Sequence, residues 1–363
     1  MSRVTAQLRP AVDRCPGLLR PYRAEDGLLV RVRIPGGQTN SGTLMALAQL
    51  AVTLQLTSRG NLQLRGIEND SVAALTDRIA GLGLLPSLSH ELVRNIAGSP
   101  LTGLTPDRPD LRPMIRELDE AICAEPELAE LPGRFLFAID DGRGDVWSLG
   151  FDVGYRALDD HRGSIALGSA AARPNEHQVR HVSRAAAAAE MVRIATDFVR
   201  ARRSQTSAWR LWELPDFQNL PGGLVGIDKP GEAPPPLGVV ADAACVGVPL
   251  GFLTTAQAAT VHTIAAGGAV VITPWRSLIV PGAAGELGAL RAAGLITDPE
   301  SPWTKITACV GSPGCAKSNI NTREVAVELA SRGRAPVRRV HISGCERRCG
   351  APSGDHDEWV GGL

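Results

Sequence analysis

The chain has 363 residues, 44% of them apolar and 21% charged, and its 38 basic residues balance 38 acidic ones. That length asks for two or three domains, the composition is that of a globular protein, and zero net charge argues against a general binder of nucleic acid or of a membrane surface. No run approaches the ~18 apolar residues of a membrane helix, and the N-terminal MSRVTAQLRPAVDRCPG has no apolar stretch after its arginines, so neither a transmembrane span nor a secretory leader is expected. The expected compartment is the cytoplasm, where thiols stay reduced and clustered cysteines serve as metal ligands more often than as disulfides.

In chain order, an apolar run, Leu28–Ile34, is followed by a helical stretch, Ser41–Val52, with Ser41 as its expected cap. Two short strands, Leu54–Thr57 and Leu62–Ile67, flank Ser58-Arg59-Gly60-Asn61, and a second helix is expected over Ser71–Leu82, before Gly83. Glu117–Leu131 reads as a helix, Arg134–Ile139 as a strand, and the Ala-rich Val182–Arg203 as a helix of about six turns. Leu214–Leu237 is rich in Pro and Gly and reads as a connector. The first pattern then recurs. Cys245–Gly251 opens it, a helix runs over Thr255–Ala266, strands Ala269–Thr273 and Ser277–Val280 flank Pro274-Trp275-Arg276, and a last helix covers Gly285–Ala293. Both copies read β-α-β-β-α, and each is trailed by Gly-Ser-Pro, at Gly98-Ser99-Pro100 and Gly311-Ser312-Pro313. The agreement predicts an internal duplication with antiparallel sheets and helices on one face. A final helix, Thr322–Ser331, and a strand, Val337–Ile342, lead to Ser343-Gly344-Cys345. The expected division is 1–90, 91–235, 236–300 and 301–363, with the first and third segments the two copies.

Four of the seven cysteines stand as C-x5-C, Cys309 and Cys315, and C-x3-C, Cys345 and Cys349. Four thiolates suit one [4Fe–4S] cube, and Gly311, Gly314, Gly344 and Gly350 would let the backbone approach a bulky cluster. Structural zinc is the rival, but it favours spacings of two to four residues. Cys123 and Cys245 read as buried hydrophobes, and Cys15 has no assigned role. The run from Gly311 to Ser318 resembles a phosphate loop only faintly, because Ala316 stands where glycine must precede Lys317. With no convincing dinucleotide motif, electrons are expected through an electron-donor protein.

The cysteine pattern resembles that of the sirohaem-dependent nitrite and sulfite reductases. The duplicated unit is similar to that family's ferredoxin-like half-domains. Thr57-Ser58-Arg59-Gly60-Asn61-Leu62-Gln63-Leu64-Arg65-Gly66 and Arg94-Asn95 with Gly98-Ser99-Pro100 resemble two further motifs of it. The implied fold is α+β: duplicated ferredoxin-like half-domains plus mixed α/β cluster- and substrate-binding regions. Within the family, Arg14-Cys15-Pro16-Gly17-Leu18, Asp26–Val32, Leu131–Phe135 and Leu220–Leu224 resemble the precorrin-3B synthase subgroup. That likeness implies oxygen-dependent hydroxylation of the tetrapyrrole precorrin-3A at C20, with a γ-lactone formed from a ring A acetate. It also implies a [4Fe–4S] cluster on Cys309, Cys315, Cys345 and Cys349 and an additional iron centre, non-haem or sirohaem, which Cys349 would bridge in the sirohaem case. Molecular oxygen is the implied co-substrate, and electrons would come ultimately from NADH.

Arg59, Arg65, Arg94 and Arg134 fall on the motifs that face macrocycle or anion and are the expected carboxylate binders, with Arg276 a weaker candidate. Anion reducers present R-K-x-K where this chain has Gly133-Arg134-Phe135-Leu136, so one cation becomes leucine. Leu136 would either pack on the macrocycle or, by strand alternation, face the core. His90, His177, His181 and His341 could serve a second iron, although none has ligand-like context. The chain ends 14 residues after Cys349, where relatives commonly continue.

Overall fold

The structure is a computed structural model that describes residues 13, 15–168, 179–204, 208–214, 233–333, 335–352 and 354–361. The chain forms two compact units: Pro16–Leu85 with Pro234–Leu363, and Met1–Cys15 with Pro86–Ala233. The fold is α+β.

The first unit begins with β1 (Tyr22–Ala24), β2 (Gly27–Val32), β3 (Gln38–Asn40), α1 (Ser41–Gln49), β4 (Thr53–Leu56), β5 (Leu62–Ile67) and α2 (Val72–Gly81). Asn40 caps α1, its side chain accepting from the Thr43 N–H at 2.8 Å. Ser41, the expected cap, lies inside the helix and bonds His262 Nδ1 at 3.1 Å.

The second unit carries β6 (Ile96–Gly98), α3 (Arg112–Ala124), β7 (Phe137–Asp140), β8 (Val153–Ala157), β9 (Arg162–Leu167), β10 (Val179–Ser183) and α4 (Arg184–Ser204). Its mixed sheet runs β10-β9-β8-β7-β6. Phe135, Phe137 and Ile139 alternate onto the core shared with Met114, Leu118 and Ile122 of α3 and Met191 and Phe198 of α4. The Glu117–Leu131 helix of the sequence reading starts earlier, at Arg112, and stops before Pro126, which opens a short 3-10 turn instead. Val182 lies in β10, not in a helix. Most of the 214–237 connector and His177 fall outside the described residues.

The chain then returns to the first unit through β11 (Gly238–Val240), β12 (Ala243–Gly247), β13 (Phe252–Leu253), α5 (Thr255–Ala265), β14 (Ala269–Ile272), β15 (Ser277–Val280) and α6 (Leu287–Ala292). Two sheets result, β1-β2-β5-β4-β13 and β11-β12-β15-β14-β3. Every strand of one has its counterpart in the other, and each half lends one short strand to its twin's edge. β3 pairs with β14 and β13 with β4, both antiparallel. These loans cover edges that would otherwise stay open. α1 and α5 pack together over one continuous core containing Leu44, Leu47, Leu62, Val261, Val270 and Leu278. The duplication expected from the sequence is thus a reciprocal one. The lent strands escaped the sequence reading because two or three residues give no period.

Last come β16 (Ile306–Ala308), α7 (Thr322–Ser331), β17 (Val340–Ser343) and β18 (Asp357–Val360), a three-stranded parallel sheet in the order β16-β17-β18. Ile306, Ala308, Val340 and Ile342 face Val325, Ala326 and Leu329 of α7.

The second unit also buries a group of acids. Asp140 and Asp145 are almost fully inaccessible. Burial, and then the neighbouring Asp145, push the Asp140 carboxyl well above the usual range, and burial does the same to Asp145. Such a carboxyl holds its proton more tightly in the folded than in the unfolded chain, so its contribution to stability is lost as pH climbs above the ordinary carboxylate range. Asp140→Asn keeps an oxygen for the Gly142 and Gly144 N–H groups, which Asp140 Oδ1 accepts at 2.9 and 2.7 Å, and removes the charge. Thermal unfolding followed from about pH 5 to pH 8 should show a shallower fall of Tm in the variant than in the wild type. Equal slopes would show that these carboxyls do not titrate in that window.

Candidate metal centre

The parallel pairing of β16 with β17 brings the two cysteine pairs together. Thr307 is the register partner of His341, and the Cys309 N–H extends the ladder by donating to the Ile342 carbonyl at 3.0 Å. Cys309 therefore leaves the end of β16 beside the loop that follows β17. There the Gly344 N–H donates to Cys309 Sγ at 3.2 Å. Cys309, Cys315 and Cys345 are half-buried and Cys349 is exposed. Partial burial raises the Cys349 thiol above its ordinary value; Arg347 opposes this, and the charges of Cys309, Cys345 and Cys315 add to it.

The loop between Cys309 and Cys315 is held from several sides. Gly311 has φ +64, and a Cβ there would meet Thr322 Oγ1 at 2.3 Å. That hydroxyl donates to the Cys309 carbonyl at 2.7 Å, and the Ser312 N–H donates to the Ile320 carbonyl at 2.9 Å. Gly344 is equally constrained, since a Cβ would lie 1.8 Å from Ser318 Oγ.

Among the described residues no three His, Cys, Asp or Glu side chains converge as ligands of a single ion would. A cube is larger than an ion and holds its thiolates farther apart, so four cysteines that carry one need not converge as the ligands of a single zinc would. A second observation concerns polarity. Alternation puts Thr307 and Cys309 on one face of the sheet with His341 and Ser343, opposite α7. His341 Nε2 and Ser343 Oγ are both buried without a hydrogen-bond partner. Orphaned polar atoms beside thiols fit a site for an ionic group.

The arginines fare unequally. Arg65 is 5% exposed and grips Asp26 through two bonds, Nε at 2.9 Å and Nη2 at 2.8 Å, while Nη2 also donates to the Gly314 carbonyl at 3.0 Å. It braces the loop between Cys309 and Cys315. Arg94 is likewise buried and forked onto Asp119 at 2.7 and 2.6 Å. Arg59 is half-buried at the β4–β5 turn, where its N–H faces Thr57 Oγ1 at 3.4 Å. Arg134 is exposed, with its guanidinium 5.5 Å from the Trp209 ring. Leu136 is 1% exposed, and its N–H donates to Asp152 Oδ2 at 2.8 Å. It is therefore buried, but outside the core that Phe135, Phe137 and Ile139 enter.

Arg276 gains in standing. Burial lowers its pKa, and no hydrogen bond or ion pair holds its guanidinium among the described residues. Its backbone is strained at φ +59, and it lines a cavity of about 230 Å³ with Trp275, Trp303 and Thr307. Only its place in the turn of the second copy, the counterpart of Ser58-Arg59-Gly60-Asn61 in the first, could have pointed to it. The sequence also gave no sign that Arg323 stacks on Phe252, 3.7 Å from the ring centroid.

Among the described residues the histidines supply no ligand set. His90 is held by Ser87, Ser89 and the Glu125 carbonyl. His181 lies on β10, not on a helix, and bonds Ser164. Burial, and then His356 and Arg276, keep the His341 imidazole below its ordinary pKa.

Residues 20–82 match the family described as the nitrite/sulfite reductase ferredoxin-like half domain. The site and the duplicated fold define a redox enzyme of the oxidoreductase class, as are the relatives the chain resembles. A precorrin-3B synthase from Sinorhizobium sp is 27% identical over 368 residues, covering 93% of this chain and 78% of the relative. A ferredoxin–nitrite reductase from Synechococcus elongatus is 29% identical over 387 residues, covering 89% and 74%. The solved structure of Mycobacterium tuberculosis NirA protein shares the fold, with TM-score 0.68 and 23% identity over 88% of this chain and 68% of that one. No described helix is long and apolar enough to cross a membrane.

If Arg65 braces the loop, Arg65→Leu should leave Asp26 unpaired at a cost on the order of 3 kcal/mol, lower Tm and reduce bound iron. An Arg65→Leu protein with wild-type Tm and iron but weakened tetrapyrrole binding would make Arg65 a substrate ligand instead.

Proposed function

We propose that the chain is an oxygen-dependent tetrapyrrole hydroxylase that converts precorrin-3A to precorrin-3B. The supporting observation is the single cation of the Arg134-Phe135-Leu136 run. Leu136 carries no charge where the anion reducers' pattern has a second cation, so this run offers one cation instead of two to a small dianion. The likeness to precorrin-3B synthase over most of the chain points the same way.

The reaction inserts one atom of O₂ at C20 and releases the other as water, consuming two electrons and two protons from an external donor; a ring A acetate closes the γ-lactone. Cys309, Cys315, Cys345 and Cys349 would hold a [4Fe–4S] cluster, which supplies one-electron transfer. The chain's own residues bind and orient the macrocycle. Arg276, a desolvated and unpaired cation, is suited to a carboxylate, and Arg59 and Arg134, on the motif positions, are the other candidates. Trp275 and Trp303 would give the edge of the macrocycle an apolar surface. The described residues show no ligand set for a second iron, so no step is assigned to one.

A second reading, a sirohaem nitrite reductase, is favoured by the similarity to the Synechococcus elongatus enzyme. Turnover of precorrin-3A under ¹⁸O₂ separates the two. The hydroxylase reading expects label in the product and none formed under strict anaerobiosis, with little nitrite or sulfite reduction by a strong artificial donor. Rapid nitrite reduction without tetrapyrrole turnover would overturn it.

A further inference from the structure

The face of the C-terminal sheet opposite α7 has an unexplained feature. His341 is 0% and Ser343 1% exposed, yet His341 Nε2 and Ser343 Oγ lack partners. A buried polar atom without a partner costs about 1–3 kcal/mol, so two side by side need a cause. Neither residue helps close the α7 core, since Val340 and Ile342 do that from the other face. Their row continues towards Cys345, and the Thr307 row beside it continues to Cys309. The His341 ring makes only a loose hydrogen-bond contact with the Cys349 backbone and stands edge-on to His356, with centroids 6.4 Å apart.

We propose that His341 and Ser343 are positioning residues for the cluster, each donating one hydrogen bond to sulfur at the Cys309–Cys345 edge and so raising its reduction potential. This rests on the four-cysteine cluster of the proposed function. The physics is direct. Reduction adds negative charge to the cluster, and a donor aimed at sulfur stabilises the more negative state. Thr307 fixes the ring. Its hydroxyl lies 2.9 Å from His341 Nδ1 and 3.2 Å from the Val340 carbonyl. The hydroxyl has one proton for these two acceptors; turned to Nδ1, the shorter contact, it leaves the imidazole proton on Nε2. The serine hydroxyl can rotate to whichever acceptor the cluster presents.

The test uses the full chain loaded with cluster under anaerobic conditions. Iron and sulfide are counted first, and a wild type without them removes the cluster reading itself, not only this one. Redox titration then compares wild type with Ser343→Ala, His341→Phe and the double variant. Lower potentials in both single variants, and lower still in the double, at unchanged iron and sulfide, are expected. Pulsed ENDOR of the reduced wild type should show proton couplings that vanish in D₂O, one lost in each variant. Unchanged potentials in both single variants overturn the proposal. Should His341→Phe fail to load, the wild-type and Ser343→Ala spectra decide, and wild-type spectra with no exchangeable couplings overturn it equally.

Discussion

The hydrogen bond from the Cys309 N–H to the Ile342 carbonyl, one step beyond the parallel pairing of β16 and β17, is the contact on which the site depends. Cys315 and Cys345 are separated by 29 residues of chain, and nothing local forces their loops to meet. The register forces it. Once Thr307 stands beside His341, Cys309 must leave its strand next to Ser343-Gly344-Cys345, and the Gly344 N–H can reach its sulfur. α7 fixes that register from one side by burying Ile306 and Ile342. A slip of one residue would turn the cysteine row into the α7 core and the isoleucines out of it.

The duplicated halves supply the frame for this sheet. Each would have an open sheet edge alone, and each closes the other's with a strand of two or three residues. Helices α1 and α5 then share one core, so the two halves form a single cooperative body in which the cluster region is anchored. Arg65 ties the two levels together. It rises from β5 of the first half, is neutralised by Asp26, and reaches the Gly314 carbonyl in the loop between the first two cysteines. A motif arginine that looks like a ligand in one dimension serves as a brace in three.

Much of this was legible in the sequence, and the limits have physical causes. α7 fell where the pattern placed it, because an apolar face of full length leaves a clear period, and β15 did because Pro274 and Pro281-Gly282 bracket a short apolar run. The repeat was visible because both copies keep the same order of elements. β8 and β9 were missed: their residues are nearly all buried, and buried strands do not alternate. The partners of Arg65 and Arg94 could not be read either, since Asp26 and Asp119 lie 39 and 25 residues away in sequence. Ser343 was passed over, and His341 was weighed only as an iron ligand. Each is ordinary in sequence, and their interest lies in what they fail to touch.

The central claim is that Cys309, Cys315, Cys345 and Cys349 together hold one [4Fe–4S] cluster. It is tested most directly by electron paramagnetic resonance of the anaerobically purified, chemically reduced chain, read beside its iron and sulfide content. The account predicts about four irons and four sulfides per chain and a rhombic spin-one-half signal of about one spin, absent when the cysteines are replaced by serine. One zinc per chain, with no sulfide and no signal, would contradict it.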